Sequence, residues 1–132
     1  MILSLEKVIQ KLDIFLVDDQ KITNFINKKL MNISSVGKQI YDFINPLNAL
    51  EELEIRKPHL ILLDLNMPEI DGWQFLEQVK NYETTAKVVI VTSSTSKLDI
   101  QKAEKYGRVI HYLIKPLDTH SIEELIIAYK NR

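Results

Sequence analysis

The feature that most constrains the fold is a repeated alternation of short apolar runs with stretches of helical periodicity. The run Val88–Val91 contains no polar residue, which is typical of a strand buried on both faces of a sheet. Similar runs are Ile14–Val17, Leu60–Leu63 and Val109–Ile114, while Lys38–Phe43 interleaves polar residues as an edge strand does. This alternation predicts an α/β fold, in which a five-stranded parallel sheet carries helices on both faces.

Five helices are predicted between and after the strands, from apolar residues three and four positions apart and from capping residues. The first carries one apolar face made of Ile22, Phe25, Ile26, Leu30 and Ile33. The second opens at Asn45-Pro46, a cap followed by proline in the first turn. The third is predicted over Gly72–Tyr82, the fourth over Ser96–Tyr106, and the last from a capping box at Ser121–Glu124.

Length and composition indicate one ordinary globular domain. The 132 residues carry a net charge of -1 and no cysteine, so nothing favours a nucleic-acid surface, a disulfide or a thiolate metal site. No apolar run is long enough to span a membrane. We predict an amphipathic leader over residues 1–12, with Leu12 on its apolar face, a single domain over residues 13–132, no effector domain and a cytoplasmic location.

Chemically active side chains follow four of the five strands. Asp18 and Asp19 follow the first strand, Asp64 the third, Thr92 ends the fourth and Lys115 follows the fifth. Each residue alone is also explained as an ordinary turn or surface residue. Open parallel sheets bind ligands at the carboxyl ends of their strands, however, so the sequence predicts that these side chains share one site.

The charges at this edge indicate a metal and a phosphate. Three carboxylates and one ammonium leave a charge of about -2 in a small volume, which a divalent cation neutralises. Oxygen ligands without histidine or cysteine are those that Mg²⁺ prefers. A carboxylate can accept a phosphoryl group, and the cation, Lys115 and the Thr92 hydroxyl would then stabilise its oxygens. The arrangement predicts phosphoryl transfer to Asp64.

The set Asp18-Asp19, Asp64 followed by M-P-x-x-D-G, V-T-S at 91–93 and K-P at 115–116 resembles the receiver domain of two-component response regulators. The resemblance runs from about residue 13 to the last residue. It implies a doubly wound, flavodoxin-like sheet in the order 2-1-3-4-5, and a phosphoryl donor that is a histidine kinase or a histidine phosphotransfer protein. It also implies slow self-catalysed hydrolysis, so the protein is not expected to be an enzyme in any other sense.

The resemblance also implies a role for each matching residue. Asp64 would be the phosphoacceptor, and Mg²⁺ would be bound by Asp19, Asp64 and the Asn66 carbonyl directly and by Asp18 mainly through water. Lys115 would contact the phosphoryl group, across a cis bond to Pro116. Thr92 and Tyr112 would form the switch: Thr92 would move toward the phosphate, and Tyr112 would turn inward or, alternatively, be an ordinary half-buried strand tyrosine.

Several functions compete at this stage. The first is a stand-alone receiver, monomeric or weakly dimeric, that signals to a downstream protein through its last two helices and fifth strand, or passes the phosphoryl group on in a relay. A haloacid-dehalogenase-type phosphatase is disfavoured, because that class needs an acid where Asn66 stands. A flavodoxin-like cofactor binder is disfavoured by the acidic turn after the first strand. A receiver fold kept only for binding remains the last alternative.

Overall fold

The computed structural model describes residues 11–132, which form one parallel sheet flanked by helices. In chain order the elements are β1 (Leu12–Val17), α1 (Lys21–Ile33), β2 (Gly37–Phe43), α2 (Pro46–Arg56), β3 (Leu60–Leu63), α3 (Gly72–Val79), β4 (Lys87–Thr92), α4 (Lys97–Ala103), β5 (Val109–Ile114) and α5 (Thr119–Lys130). All strand pairs are parallel, and the strand order is β2-β1-β3-β4-β5. The predicted fold class and strand order are both confirmed.

The sheet separates two apolar layers, which explains the uninterrupted apolar runs. All four residues of β3 are buried, because alternate side chains enter opposite layers. Phe15 and Phe75 belong to the layer under α2 and α3, whereas Leu16 and Ile122 belong to the layer under α1 and α5. The polar strand β2 forms one edge of the sheet, as its composition predicted.

Helix ends follow local capping chemistry, with three corrections to the predicted boundaries. Asn45 caps α2 ahead of Pro46, as predicted. The last helix begins at Thr119 and not near Ser121, because Asp118 and Ser121 form the capping box one turn earlier. The third helix ends at Val79 and not at Tyr82, and the fourth ends at Ala103 and not at Tyr106. In both cases the following amides bond to carbonyls three residues back, as in a tightening final turn.

Most of the apolar face predicted for the first helix faces solvent, although we expected it to pack on the core. Of its five residues, Leu30 alone packs against the core, and it is partly buried. In α1, Ile22 is 63% exposed and Phe25 is 56% exposed, and Ile26 and Ile33 are exposed as well. The buried residues of α1 are Asn24, Asn27 and Met31. The physical reason lies in long-range hydrogen bonds, since the Asn24 amide donates to strand-end carbonyls and orients the helix accordingly.

The leader predicted over residues 1–12 lies outside the described residues except at its end. There Leu12, which we expected on a helical face, is the first residue of β1 and is buried against the sheet. The domain boundary at residue 13 otherwise stays a prediction. No helix within residues 11–132 combines the length and the apolar character that crossing a membrane requires.

Candidate functional site

The predicted site residues gather at the carboxyl edge of the sheet, beside the point where the strand order reverses. Asp18 directly follows β1 and Asp64 directly follows β3, and these strands are neighbours at the centre of the sheet. The Asp64 amide donates to the Val17 carbonyl at 2.9 Å, so strand pairing continues into the acidic turn. Two carboxylates therefore lie side by side on a backbone held by the sheet.

Three carboxylates converge at this edge. Asp18, Asp19 and Asp64 each offer an oxygen, and these oxygens all lie within 4.8 Å of one another. Asp18 is 5% exposed and Asp64 is 6% exposed, while Asp19 is half-buried. Because the donor set contains only oxygen, because its charge is concentrated and because one acid is open to solvent, the site fits a hydrated Mg²⁺ ion.

Lys115, which is far from Asp18 and Asp64 in sequence, places its ammonium group beside both carboxylates. Its Nζ lies 2.6 Å from Asp18 Oδ2 and 3.5 Å from Asp64 Oδ1, and its side chain is only 17% exposed. The Lys115 amide donates to the Thr92 carbonyl at 2.8 Å, which fixes the start of the turn after β5. The bond from Lys115 to Pro116 is cis, as the resemblance implied.

The environment of Asp64 disfavours its charge. Burial raises the pKa of Asp64, and the neighbouring charge of Asp18 raises it further. Lys115 and the backbone N–H of Asn66 act in the opposite direction but do not cancel the rise in the pKa. A cation between the carboxylates would relieve the same repulsion, which is a second reason why the site fits Mg²⁺.

Thr92 and Tyr112 meet through Ser94 and not directly. Thr92 is fully buried, and its Oγ1 accepts a hydrogen bond from the Ser94 amide at 3.2 Å. The Tyr112 hydroxyl donates to the Ser94 carbonyl at 3.0 Å, and the Ser94 hydroxyl donates to Asp99 in α4 at 2.6 Å. Tyr112 is half-buried, as its alternative interpretation required. One short segment thus connects Thr92 to α4 and β5.

Asn66 follows Asp64 by two residues in the loop after β3. Its side chain is exposed, and its backbone N–H lowers the pKa of Asp64. The predicted use of its carbonyl as a metal ligand stays a prediction.

Sequence reasoning missed Asn24, which is buried behind the acidic turn. Its Nδ2 donates to the Asp18 carbonyl at 2.9 Å and to the Phe43 carbonyl at 3.3 Å. It therefore ties α1 to the ends of β1 and β2 and supports the turn that carries Asp18. The available signal was an asparagine inside a helix, which is unfavourable unless its amide has a specific partner.

Gly72 allows α3 to approach the backbone that follows β3. A Cβ at this position would lie 2.7 Å from the Asp64 carbonyl oxygen and 2.8 Å from the Leu65 Cα. Both atoms belong to backbone that the sheet holds, so neither can move without displacing the site. The motif contained this glycine, but only the structure shows the contact that requires it.

The substitution Gly72→Ala is expected to lower the free energy of unfolding by about 1–3 kcal/mol, because the added methyl group overpacks a fixed backbone. Gly107→Ala is the matched control, since nothing lies within 4 Å of a Cβ there. Urea denaturation of both variants measures the difference. Equal stability of the two variants would refute the close contact.

Comparison with known proteins agrees with this geometry. The sequence matches the family described as Response regulator receiver domain over residues 14–127. It is 29% identical over 116 residues to "Sporulation initiation phosphotransferase F" of Bacillus subtilis, covering 88% of this chain and 91% of that protein. It is 29% identical over 119 residues to "Chemotaxis protein CheY" of Treponema pallidum, covering 87% and 80%.

Solved structures give the same result. The crystal structure of a two component response regulator from Cytophaga hutchinsonii superposes with a TM-score of 0.84 at 28% identity, covering 93% of this chain and all of that one. The chain spans only about a third of the length of some other curated relatives. These similarities extend over the whole sheet and the edge that carries Asp64.

Proposed function

Since this chain belongs to the response regulator receiver family, whose members are signalling modules, we propose that it accepts a phosphoryl group on Asp64. The donor is a phosphohistidine of a sensor histidine kinase or of a phosphotransfer protein, and the reaction requires Mg²⁺. Residues 13–132 form the receiver domain, which acts in the cytoplasm. The observation that carries the proposal is the convergence of three carboxylates and the Lys115 ammonium on one edge of the sheet.

The step itself needs one nucleophile and a place for negative charge. An Asp64 carboxylate oxygen attacks phosphorus, an O–P bond forms as the N–P bond breaks, and the released imidazole nitrogen takes up a proton. Asp19, Asp64 and the Asn66 carbonyl would hold Mg²⁺, with Asp18 reaching it through water. When bound, this ion neutralises phosphoryl oxygens and the charge that develops during transfer.

The remaining side chains prepare the site for the product. Lys115 already lies 3.5 Å from the acceptor carboxylate, so its ammonium can follow the charge onto the phosphoryl oxygens. Thr92 accepts from Ser94 and keeps its own hydroxyl proton free to donate. We propose that Thr92 and Tyr112 form the switch, because movement of Thr92 would displace Ser94, to which Tyr112 and α4 are bonded.

The direct test is incubation with acetyl phosphate, followed by intact-mass measurement. With Mg²⁺ we expect one added phosphoryl group, and with EDTA no added mass. Absence of label with Mg²⁺ and several small donors would instead favour a receiver fold that functions only by binding.

Metal binding provides a separate prediction. Asp19→Asn is expected to lower Mg²⁺ affinity at least about tenfold, because it removes a charged ligand from the cluster. Asp42→Asn is the matched control, since Asp42 makes only an exposed pair with Lys28. Calorimetric titration with MgCl₂ compares the two variants. Unchanged affinity in Asp19→Asn would exclude that carboxylate as a direct ligand.

The exposed apolar face of α1 supports a docking surface for the protein donor. This helix begins at Lys21, two residues after Asp19, and presents Phe25 and its apolar neighbours to solvent beside the site. Phe25→Ser is expected to slow transfer from a phosphorylated donor protein about tenfold while leaving labelling by acetyl phosphate unchanged. Ile55→Ser on α2, which replaces a 73% exposed isoleucine, is the control. Equal transfer rates in the two variants would mean that the donor protein docks on another surface.

A phosphorelay is the second candidate, favoured by the relative named as a phosphotransferase. In that case the phosphorylated protein passes its phosphoryl group on to a second phosphotransfer protein. In the first candidate it changes its affinity for a downstream protein through α4, β5 and α5, as a monomer or weak dimer. Copurification on the phosphorylated protein, followed by a transfer assay, separates the two roles. We propose no further enzymatic activity beyond self-catalysed transfer and hydrolysis.

A further inference from the structure

A cavity lies at the edge of the sheet opposite Asp64, where the strands begin. It has a volume of about 470 Å³ and is lined by His59, Thr84, Thr85, Lys87, Arg108, Tyr129 and Arg132. Within residues 11–132 no carboxylate side chain lines it. Three of the lining residues are permanent cations, although the whole chain carries a net charge of -1. The cavity is therefore a local concentration of positive charge on a nearly neutral protein.

The cations in this cavity are distinguished by their grouping, since three of them line one cavity whose wall, over residues 11–132, has no acidic side chain. Elsewhere in the described residues, cations either pair with a carboxylate, as Lys28 and Lys115 do, or stand singly on the surface, as Lys57 and Lys97 do. Within the described part of the chain, Lys87, Arg108 and Arg132 form no ion pair with an acid. Bringing like charges together without compensation is unfavourable, so an external anion would stabilise this end of the molecule.

Several lining groups are held in place by hydrogen bonds with the backbone. The Asp13 amide donates to His59 Nδ1 at 2.9 Å, so the proton of the neutral ring is on Nε2, which is a donor. Arg108 Nη1 donates to the Thr84 and Ala86 carbonyls at 3.0 and 2.8 Å, which fixes the guanidinium plane. The Thr84 hydroxyl accepts from the Ala86 amide and keeps its proton free to donate.

The chemistry of these groups selects the class of ligand. Ammonium, guanidinium, imidazole N–H and hydroxyl groups are all donors, and together they match the terminal oxygens of phosphate. The volume exceeds the space that one phosphate occupies. We infer that this cavity binds a small compound carrying a diphosphate or longer phosphate chain, at a site separate from the phosphoacceptor edge.

The position of the cavity makes this inference independent of Asp64 chemistry. His59 precedes β3, Lys87 begins β4 and Arg108 precedes β5, whereas Asp64, Thr92 and Lys115 lie at the other ends of the same strands. A ligand here needs no Mg²⁺ and leaves the acidic edge open. Binding can therefore be measured in EDTA, where the phosphoacceptor site has no metal.

The experiment is titration of the ¹⁵N-labelled protein with sodium pyrophosphate in EDTA at physiological ionic strength. We expect saturable amide shifts at residues 84–87 and 108, and Lys87→Gln should weaken binding at least about tenfold. Lys102→Gln is the matched control, since that ammonium lies over Trp73 outside the cavity, and it should change affinity less than about twofold. Lys87 is chosen because Arg108 also bonds to two backbone carbonyls, and its loss could disturb the fold.

Two further arms identify the source of the phosphate. Tighter binding of ADP than of pyrophosphate, with shifts at Tyr129, would indicate a nucleotide, and equal affinity would indicate inorganic diphosphate; both support the inference. Equal binding of citrate would overturn the phosphate preference. Lack of saturation, equal weakening by Lys102→Gln, or shifts confined to Asp18, Asp64 and Lys115 would overturn the site itself. If Asp64 is phosphorylated but pyrophosphate does not bind, the inference about the cavity fails and the proposed function stands.

Discussion

Asp64→Asn is expected to abolish phosphoryl incorporation completely. Asparagine has nearly the same shape as aspartate but lacks the anionic oxygen that attacks phosphorus. Intact mass after incubation with acetyl phosphate and Mg²⁺ should show one added phosphoryl group in the wild-type protein and none in the variant. Asp42→Asn removes an exposed acid with the same change in net charge, and it should label like the wild type. Residual labelling of Asp64→Asn would place the acceptor on another side chain.

The same substitution that abolishes labelling is expected to raise the free energy of unfolding at neutral pH. Burial and Asp18 raise the pKa of Asp64 in the folded protein, so the folded state holds this proton more tightly than the unfolded chain does. The resulting stabilisation is present below the ordinary aspartate pKa of about 3.9 and is lost as the pH rises through the raised value. At pH 7 in EDTA, Asp64→Asn should therefore be more stable than the wild type, because it removes a carboxylate whose charge the folded state disfavours.

Urea denaturation at pH 7 and at about pH 4.5 tests this sign. The stability advantage of Asp64→Asn should be largest at pH 7 and should shrink at the lower pH, because protonation removes the unfavourable charge from the wild type. Labelling of the wild type should slow over the same range, since only the carboxylate is nucleophilic. A variant that is less stable than the wild type at pH 7 would show that Lys115 and Asn66 outweigh burial in setting the pKa of Asp64.

Lys115→Met is expected to lower the free energy of unfolding at pH 7 in EDTA by about 3 kcal/mol. The substitution removes the cation that lies 2.6 Å from Asp18 and 3.5 Å from Asp64, while both carboxylates stay buried. An uncompensated charge in a poorly solvated site is far more unfavourable than the loss of an exposed ion pair. The loss should shrink at acid pH, because the raised pKa of Asp64 favours its neutral form there.

Lys28→Met is the matched control for this prediction. Its ammonium lies 3.7 Å from the Asp42 carboxylate with both side chains nearly half exposed, so its removal should change stability by less than about 1 kcal/mol. Addition of MgCl₂ should restore part of the stability of Lys115→Met, because a bound cation compensates the same carboxylates. Phosphoryl labelling should stay low, since the charge next to the acceptor oxygens is missing. Equal destabilisation by the two substitutions would mean that Lys115 contributes no more than a surface charge.

The sheet could be predicted closely because its signal is local. A strand such as Leu60–Leu63, buried on both faces, needs four apolar residues in succession, and no distant contact changes that requirement. Caps are local too: Asn45 accepts a hydrogen bond from the Leu47 amide as predicted, and Ser96 accepts one from the Asp99 amide. Where two local signals competed, the prediction was wrong, since Asp118 with Ser121 forms the capping box in place of Ser121 with Glu124.

The candidate site was predictable in its members but not in its pairings. Parallel strands bring their carboxyl ends to one edge, so the placement of Asp64 and Lys115 at that edge followed from the prediction of a parallel sheet. Their pairing did not follow, because the Lys115 ammonium lies closer to Asp18 than to Asp64. The contribution of Ser94 as the residue joining Thr92, Tyr112 and α4 depends on how two loops pack, which no spacing in the sequence encodes.

The sequence by itself determined the succession of strands and helices along the chain, because hydrophobic periodicity is a property of neighbouring residues. It also determined the set of side chains that could perform phosphoryl transfer, because that set depends on residue type. Only the tertiary structure decided which face of α1 is buried. The apolar periodicity favoured Phe25 and Ile26, but the Asn24 amide bonds to the Asp18 and Phe43 carbonyls and turns that face outward. Those carbonyls lie at the ends of two neighbouring strands, and the bond to Phe43 joins distant segments that meet only once the chain has folded.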